Sequence, residues 1–132
     1  MIKVRGYIFS RPFMGDRVPQ HVQNLVIRDY CERKNLHFLL SSTEYSMKGS
    51  QLILEQALCE LSEIDGLAAY SLYQLPEDVN KRKRVYDKIL TYKKSIHFAV
   101  EGLSAKTQLD CEKIESLWRI RQFLPKCLNG LG

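Results

Sequence analysis

Four short, mostly apolar runs alternate along this chain with four stretches in which apolar residues recur every three or four positions. The runs predict strands at residues 2–10, 36–40, 67–72 and 96–100, since each has the length and composition of a buried strand. Strict alternation of strands and helices is typical of a parallel sheet, because each helix returns the chain to the same edge before the next strand begins. Few folds are compatible with this pattern.

Residues that favour a helix start support the same division. Each predicted helix begins at or beside one of these residues, which are Pro19, Ser50, Pro76 and Thr107. The first helix is predicted over residues 19–34, and Pro125 is expected to interrupt the last one. Trp118 lies beside the apolar stripe of the last helix, so we expect it to be at least partly buried.

These elements predict an α/β fold, a doubly wound three-layer sandwich with a four-stranded parallel sheet of order 2-1-3-4. The 132 residues, 45% of them apolar, suffice for one buried core. Because no linker, repeat or low-complexity stretch divides them, we expect a single α/β domain over residues 1–132.

Several classes of protein are disfavoured. No run of eighteen or more apolar residues occurs and the first ten residues do not resemble a secretory signal, so we expect a cytoplasmic location without membrane insertion. The widely separated cysteines predict buried, reduced thiols; they are Cys31, Cys59, Cys111 and Cys127. No metal site is predicted, because His21, His37 and His97 are scattered. No cofactor can be named from the sequence.

The formal net charge of +5 does not by itself identify a partner. The basic residues are dispersed apart from two runs, and we interpret the run at residues 81–84 as a solvated helix face. The same positive field would attract an anionic small molecule or a sugar-nucleotide.

In open α/β sheets the ligand crevice lies beyond the carboxyl ends of the strands, so the polar residues that follow each strand are the candidate site. Ser10 is a candidate nucleophile, and Glu44 and Glu101 are candidate general acid/base groups. Arg11 is a candidate clamp for a carboxylate or phosphate. The other candidate substrate-binding residues are Arg17, Gln20, His21, Tyr45, Ser71, Tyr73 and Gln74. The alternatives remain open that Ser10 is a turn residue and that the carboxylates are solvated loop groups.

A strand ending in Ser10, the helix VQNLVIRDYCERKNL, and GLAAYSLYQLPED before another helix together resemble the catalytic domain of resolvase-type serine recombinases. Ser10 falls where their nucleophile would be. Ile8, however, stands where those enzymes have an arginine two residues before the serine, and YQLPE replaces their arginine-containing D-R-L-x-R element. The resemblance implies a flavodoxin-like or resolvase-like fold without recombinase chemistry. A degenerate nucleic-acid-binding domain is therefore the least favoured function.

A second resemblance covers nearly the whole chain. The segments RGYIFSRPFMGDRVPQHVQNLVIRDYC, LLSSTEYSM, YSLYQLPED and HFAVEGL are similar to small bacterial proteins of the sporadic carbohydrate cluster family. This resemblance implies a role in surface-carbohydrate biosynthesis, such as lipopolysaccharide O-antigen or capsule. The expected partner is an anionic sugar or sugar-nucleotide, without specific nucleic acid, and a homo-oligomer is left open. The alternative is a non-catalytic partner of a carbohydrate-biosynthesis enzyme, so enzymatic activity itself stays undecided.

Overall fold

Every strand and helix expected from the alternating pattern is present in the computed structural model, which describes the backbone of residues 1–131 and the side chains of residues 1–122. The strands are β1 (Lys3–Phe9), β2 (His37–Glu44), β3 (Gly66–Ala69), β4 (Ser95–Phe98) and β5 (Leu103–Ala105). The helices are α1 (Gln20–Arg33), α2 (Leu52–Cys59), α3 (Val79–Thr91) and α4 (Gln108–Leu131). Two 3₁₀ turns, Glu60–Ser62 and Leu72–Gln74, follow α2 and β3.

The sheet has the order β2-β1-β3-β4-β5, in which the first four strands are parallel and β5 is antiparallel to β4. The predicted parallel order 2-1-3-4 is confirmed, but the predicted number of four strands is wrong. The chain reverses after β4 through a tight turn in which Gly102 has a φ of +66° and donates to the carbonyl of Phe98 at 2.9 Å. A strand of three residues is too short to produce a periodic pattern, so β5 was not expected.

Strand β3 ends at Ala69, before the predicted residue 72, because the 3₁₀ turn Leu72–Gln74 follows it, and β4 ends at Phe98, before the predicted residue 100, because the chain reverses there. Two other boundaries also differ from the prediction. Strand β2 extends to Glu44, because its polar end still pairs with β1, Ser42 opposite Tyr7 and Thr43 opposite Ile8. It is an edge strand, and polar side chains there keep access to water. Helix α4 continues through Pro125 to Leu131, so the expected interruption is wrong. None of the helices within residues 1–131 combines the length and the apolar character that a membrane span requires.

Helices cover both faces of the sheet, which gives three layers. Helix α1 packs on one face through Ile27 and Tyr30, which meet Val4 and Ile8 of β1. The other three helices pack on the opposite face, where the larger part of the core lies. This arrangement leaves the loops after β1, β2 and β3 together at the carboxyl edge.

Trp118 is fully buried in the larger core, as the helical pattern predicted. Its indole Nε1 donates to the carbonyl of Leu72 at 3.2 Å, and the guanidinium of Arg82 lies 4.4 Å above its ring. The last helix is thereby attached to the turn that follows β3.

Arg82 corrects the interpretation of residues 81–84 as a fully solvated face. Its Nε and Nη2 donate to the two carboxylate oxygens of Glu115 at 2.7 and 2.9 Å, and Nη1 donates to the carbonyl of Pro76 at 3.1 Å. A buried guanidinium is tolerated when its donors are satisfied in this way. Burial alone would raise the pKa of Glu115, but hydrogen bonds from Arg82 and Tyr86 outweigh burial and hold it below its usual range.

Three cysteines are free thiols, but the expectation that they are buried is wrong for Cys59. Cys31 and Cys111 are buried and Cys59 is exposed, while the side chain of Cys127 lies outside the described residues. Burial raises the pKa of both Cys31 and Cys111 to about 11. Neither of these two thiols is therefore a thiolate at neutral pH.

Candidate functional site

A cavity of about 610 Å³ lies at the carboxyl edge of the sheet, between the loops that follow β1, β2 and β3. The first loop contributes Arg11 and Phe13, the second Lys48, and the third Tyr73 and Gln74. This is the edge that the topology rule for open α/β sheets selects.

The loop after β1 is held by a small hairpin. Phe13 and Asp16 exchange two backbone hydrogen bonds of 2.9 Å, and the two residues between them, Met14 and Gly15, have φ angles of +50° and +82°. The left-handed conformation is unfavourable for Met14, so the paired residues must hold it in place. The hairpin fixes the ring of Phe13 edge-on to that of Phe9, with the centroids 5.7 Å apart.

Arg11 connects the first two loops and supplies a cation to the cavity wall. Its guanidinium lies 4.2 Å above the ring of Phe9. One Nη donates to the carbonyl of Tyr45 at 2.8 Å and the other to that of Ser50 at 3.0 Å. These bonds use two of the five guanidinium donors, so N–H groups remain for an anion.

Ser10 directly follows β1 but is outside the lining of the cavity. Its hydroxyl donates to the carbonyl of Glu44 at 2.8 Å and is only partly buried. The residue two positions before it, Ile8, is in the core under α1. In this arrangement the hydroxyl stabilises the pairing of β1 with β2.

Glu44 is buried, with 1% of its surface exposed, and its carboxylate caps α2. It accepts hydrogen bonds from the hydroxyls of Tyr7 and Ser50, at 2.7 and 3.1 Å, and from the backbone N–H groups of Ile53 and Leu54, at 3.1 and 3.2 Å. A carboxylate at a helix N-terminus also interacts favourably with the helix dipole. Burial, and then the bond to Glu44, raises the pKa of Tyr7 far above its usual value.

Glu101 has a similar role beside β3. Its carboxylate accepts from the hydroxyl of Ser71 at 2.7 Å and from the backbone N–H of Leu72 at 2.9 Å. The Ser71 hydroxyl in turn accepts from the N–H of Tyr73 at 3.2 Å. The structure thus uses this predicted acid/base residue to fix the 3₁₀ turn that carries Tyr73 to the cavity.

A pair of buried amides occupies the point between β1 and β3, where the connections change direction. The side chain of Gln23 accepts from the N–H of Phe9 and donates to the carbonyls of Phe9 and Val18, each at 2.9 Å. Gln74 donates its Nε2 to Gln23 at 2.8 Å and accepts from the N–H of Tyr70 at 3.1 Å. Crevices at such points commonly bind ligands, but here the protein's own side chains fill the space.

Gln23 was not among the predicted site residues. It is fully buried and shares the inner face of α1 with Ile27 and Tyr30, four and seven positions further along. A glutamine in phase with an apolar stripe was the signal that could have identified it. Sequence reasoning instead placed it on another side of the helix.

The remaining predicted residues are distributed around this edge. Arg17, Gln20 and His21 are exposed before and at the start of α1, and Tyr45 is 52% exposed after β2. The cavity lining includes Arg11, Tyr73 and Gln74 but not Ser10, Glu44 or Glu101.

His97 is a buried residue of β4, and both of its ring nitrogens have hydrogen-bond partners. Its Nδ1 lies 2.9 Å from the hydroxyl of Tyr30, and its Nε2 lies 3.0 Å from the hydroxyl of Ser95. Burial, and to a smaller degree Lys106 and Lys34, lowers its pKa to about 4. Within the described part of the chain, no three His, Cys, Asp or Glu side chains are arranged to hold a metal ion.

No protein-family model and no curated protein sequence matches this chain. Solved structures match its fold. The N-terminal catalytic domain of TP901-1 integrase is 16% identical over 93% of this chain and 98% of that one, with a TM-score of 0.62. A resolvase family site-specific recombinase from Streptococcus pneumoniae is 10% identical over 99% of both chains, with a TM-score of 0.64. At these identities the likeness establishes a resolvase-like α/β fold.

These neighbours correct the function expected from the sequence. Nothing supports the sporadic carbohydrate cluster family, and the predicted role in surface-carbohydrate biosynthesis is wrong, as are its anionic sugar or sugar-nucleotide ligand and its carbohydrate-enzyme partner. The expectation of no specific nucleic acid is overturned by the same neighbours. That expectation rested partly on the absence of an arginine at position 8. Ile8 packs in the core under α1, so the substitution removes a cation near Ser10 but leaves the fold unchanged.

Proposed function

We propose that this chain is a recombination-type DNA-binding protein that contacts DNA through the carboxyl edge of its sheet. One observation carries the proposal, the fold likeness to an integrase catalytic domain and a site-specific recombinase over nearly the full length of all three chains. The cavity, Arg11, Lys48 and Ser10 all lie at that edge. A cytoplasmic location, where DNA is accessible, is part of the proposal.

The charges around the cavity suit a phosphate backbone. Arg11, Lys48 and Lys81 line it, and the two carboxylates on the same wall are those of Glu77 and Asp78. The Asp78 carboxylate accepts the backbone N–H of Asn80 at 2.9 Å, so the N-terminus of α3 offsets part of its charge. Lysine and arginine contacts to phosphates supply most of the affinity of sequence-independent DNA binding.

Strand cleavage by Ser10 is a second candidate, favoured by the position of this serine at the end of β1 beside Arg11. The Ser10 hydroxyl donates to the Glu44 carbonyl, so it would have to leave that bond before attacking phosphorus. Phosphoryl transfer also needs cations around the phosphate oxygens, and Arg11 already binds two loop carbonyls. The geometry therefore favours binding over cleavage.

Fluorescence anisotropy with a labelled DNA hairpin that carries a single-stranded tail tests the proposal. The double variant Lys48→Ala/Lys81→Ala should weaken binding and reduce the slope of log affinity against log salt by about two, one for each lost phosphate contact. The matched control is Lys3→Ala/Lys34→Ala, which removes the same charge from exposed positions at the opposite edge of the sheet.

Equal slopes for the two double variants would place the DNA contact elsewhere, and no binding at low salt would reject the proposed function. Supercoiled plasmid tests the second candidate separately. Relaxation by the wild type and not by Ser10→Ala would establish cleavage, whereas unchanged plasmid would leave binding as the function.

A further inference from the structure

The cavity at the carboxyl edge combines aromatic side chains with cations. Phe13 and Tyr73 line it with partly exposed rings, beside Phe9, whose ring is covered by the Arg11 guanidinium. Lys48 and Lys81 are exposed on its walls. A phosphate contact needs only the cations, so the aromatic lining requires a separate explanation.

We infer that this cavity binds an unpaired nucleobase, so that the preferred DNA is single-stranded or locally unpaired. The inference rests on the proposed function and names the form of DNA that the site takes. Bases in an intact duplex are stacked and paired, and only an unpaired base can place its face against a protein ring. Stacking on aromatic side chains within a basic groove is how sequence-tolerant single-strand binders hold DNA.

Both partly exposed rings are held in place before any ligand arrives. Phe13 is fixed by the hairpin and by edge-on contacts with Phe9 and Tyr70, at centroid distances of 5.7 and 6.1 Å. Tyr73 is fixed by the edge of Trp118 at 5.3 Å. Ordering these side chains therefore adds little to the entropic cost of binding.

The size and charge of the cavity agree with this occupant. Its volume of about 610 Å³ is within the usual range for small-ligand pockets, which accommodate a single nucleotide. The cations on its walls complement the phosphates on either side of a bound base. An apolar ligand without phosphate would make no use of the two lysines or of the Arg11 donors that the loop carbonyls leave free.

The decisive comparison is between two single-stranded oligomers of equal length and equal phosphate number, one a thymidine dodecamer and the other abasic at every position. Wild-type protein should bind the thymidine oligomer about five- to a hundredfold more tightly, the range for stacking of one base. The ratio should change little with salt, because the phosphates are matched.

Equal binding of the two oligomers would overturn the base pocket while leaving phosphate binding intact. Binding of neither at low salt would overturn this inference, and binding of the tailed hairpin by the same protein would then show that the proposed function stands without it. The wild-type comparison does not depend on any variant folding correctly.

Substitutions of the two aromatic residues test whether the base binds against their rings. Phe13→Leu and Tyr73→Leu keep an apolar side chain but lack the aromatic face, so each should bring the affinity ratio towards one without changing affinity for the abasic oligomer. Tyr92→Leu is the control, since Tyr92 is an exposed aromatic residue at the end of α3. A ratio that falls equally in Tyr92→Leu would contradict the assignment.

Competition by thymidine monophosphate tests whether the bound base belongs to a DNA strand or to a free nucleotide. The monophosphate should compete with the oligomer only weakly, because it contacts fewer cations. Competition at the affinity of the whole oligomer would show that the cavity is a mononucleotide site and would overturn the assignment to a DNA strand.

Discussion

The side-chain Nε2 of Gln74 donates to the Oε1 of Gln23 at 2.8 Å, and the two amides are 2% and 0% exposed. The bond joins the turn after β3 to α1 at the point between β1 and β3. Because Gln23 also pairs with the backbone of Phe9, this contact sets the spacing of two of the loops that form the cavity.

Replacing Gln23 should therefore destabilise the fold. Gln23→Leu leaves the N–H of Phe9 and the amide of Gln74 without their buried partner, and we expect a loss of about 2–4 kcal/mol in the free energy of unfolding. Urea denaturation measures it. Gln20→Leu, at an exposed position on the same helix, should change stability by less than about 0.5 kcal/mol. Similar losses in the two variants would contradict the role of the amide pair.

Glu44 should be more important for stability than an ordinary loop carboxylate. Glu44→Ala removes the cap of α2 and leaves the buried hydroxyl of Tyr7 unpaired, with an expected loss of about 3 kcal/mol. The exposed Glu63 provides the control variant Glu63→Ala. A midpoint of urea unfolding that is the same in both variants would show that the carboxylate is dispensable to the fold.

Replacing Arg82 should cost more stability than replacing another residue of the basic run at residues 81–84 of α3. Arg82→Ala leaves the carboxylate of Glu115 without its bidentate partner, and breaking such a pair should cost about 3–5 kcal/mol. Arg84 and the carboxylate of Glu55 lie 3.7 Å apart and are both exposed to solvent. Because an exposed ion pair contributes little, Arg84→Ala should cost less than about 1 kcal/mol. Thermal melts of the two variants, compared with the wild type, measure the difference.

Stability should decrease in acid partly because of His97. Its pKa is lowered to about 4 in the folded protein, whereas an unfolded histidine titrates near 6.5. The unfolded state therefore binds more protons between these values, and the stabilising contribution, complete above about pH 6.5, is lost as the pH falls towards 4. The loss amounts to about 3 kcal/mol at most.

His97→Leu removes this titration and should flatten the dependence of unfolding free energy on pH between about pH 4.5 and 6.5. His37 is exposed, so His37→Leu should leave the wild-type dependence intact. If all three proteins lose stability in parallel over this interval, the acid sensitivity comes from other groups.

The parallel core of the sheet could be predicted from the sequence. Strands β1, β3 and β4 are short, mostly apolar runs, whereas in the helices between them apolar residues recur every three or four positions. The location of the candidate site at the carboxyl edge of the sheet was inferred from the topology alone. The extension of β2 through its polar residues could not be predicted, since pairing at a sheet edge depends on the partner strand and not on local composition. Strand β5 has only three residues, and its position depends on the turn at Gly102.

The individual site residues were harder to predict than their location. Glu44 and Glu101 follow strands as a functional carboxylate would. Glu44, however, accepts backbone N–H groups at the start of α2, and Glu101 accepts that of Leu72 in the turn after β3, and a sequence does not distinguish a cap from an acid. Phe13 reaches the cavity only because a hairpin turns it inward. Gln23 pairs with Gln74, 51 positions away, and no local pattern encodes such a contact.

The most direct test of DNA binding at the carboxyl edge is amide chemical-shift mapping of labelled protein titrated with the tailed DNA hairpin. We expect the largest shifts in residues 10–17, 45–51 and 72–81, which form the loops around the cavity. Shifts concentrated instead at the opposite edge, in residues 34–37 and 93–95, or no shifts at saturating DNA and low salt, would contradict the account.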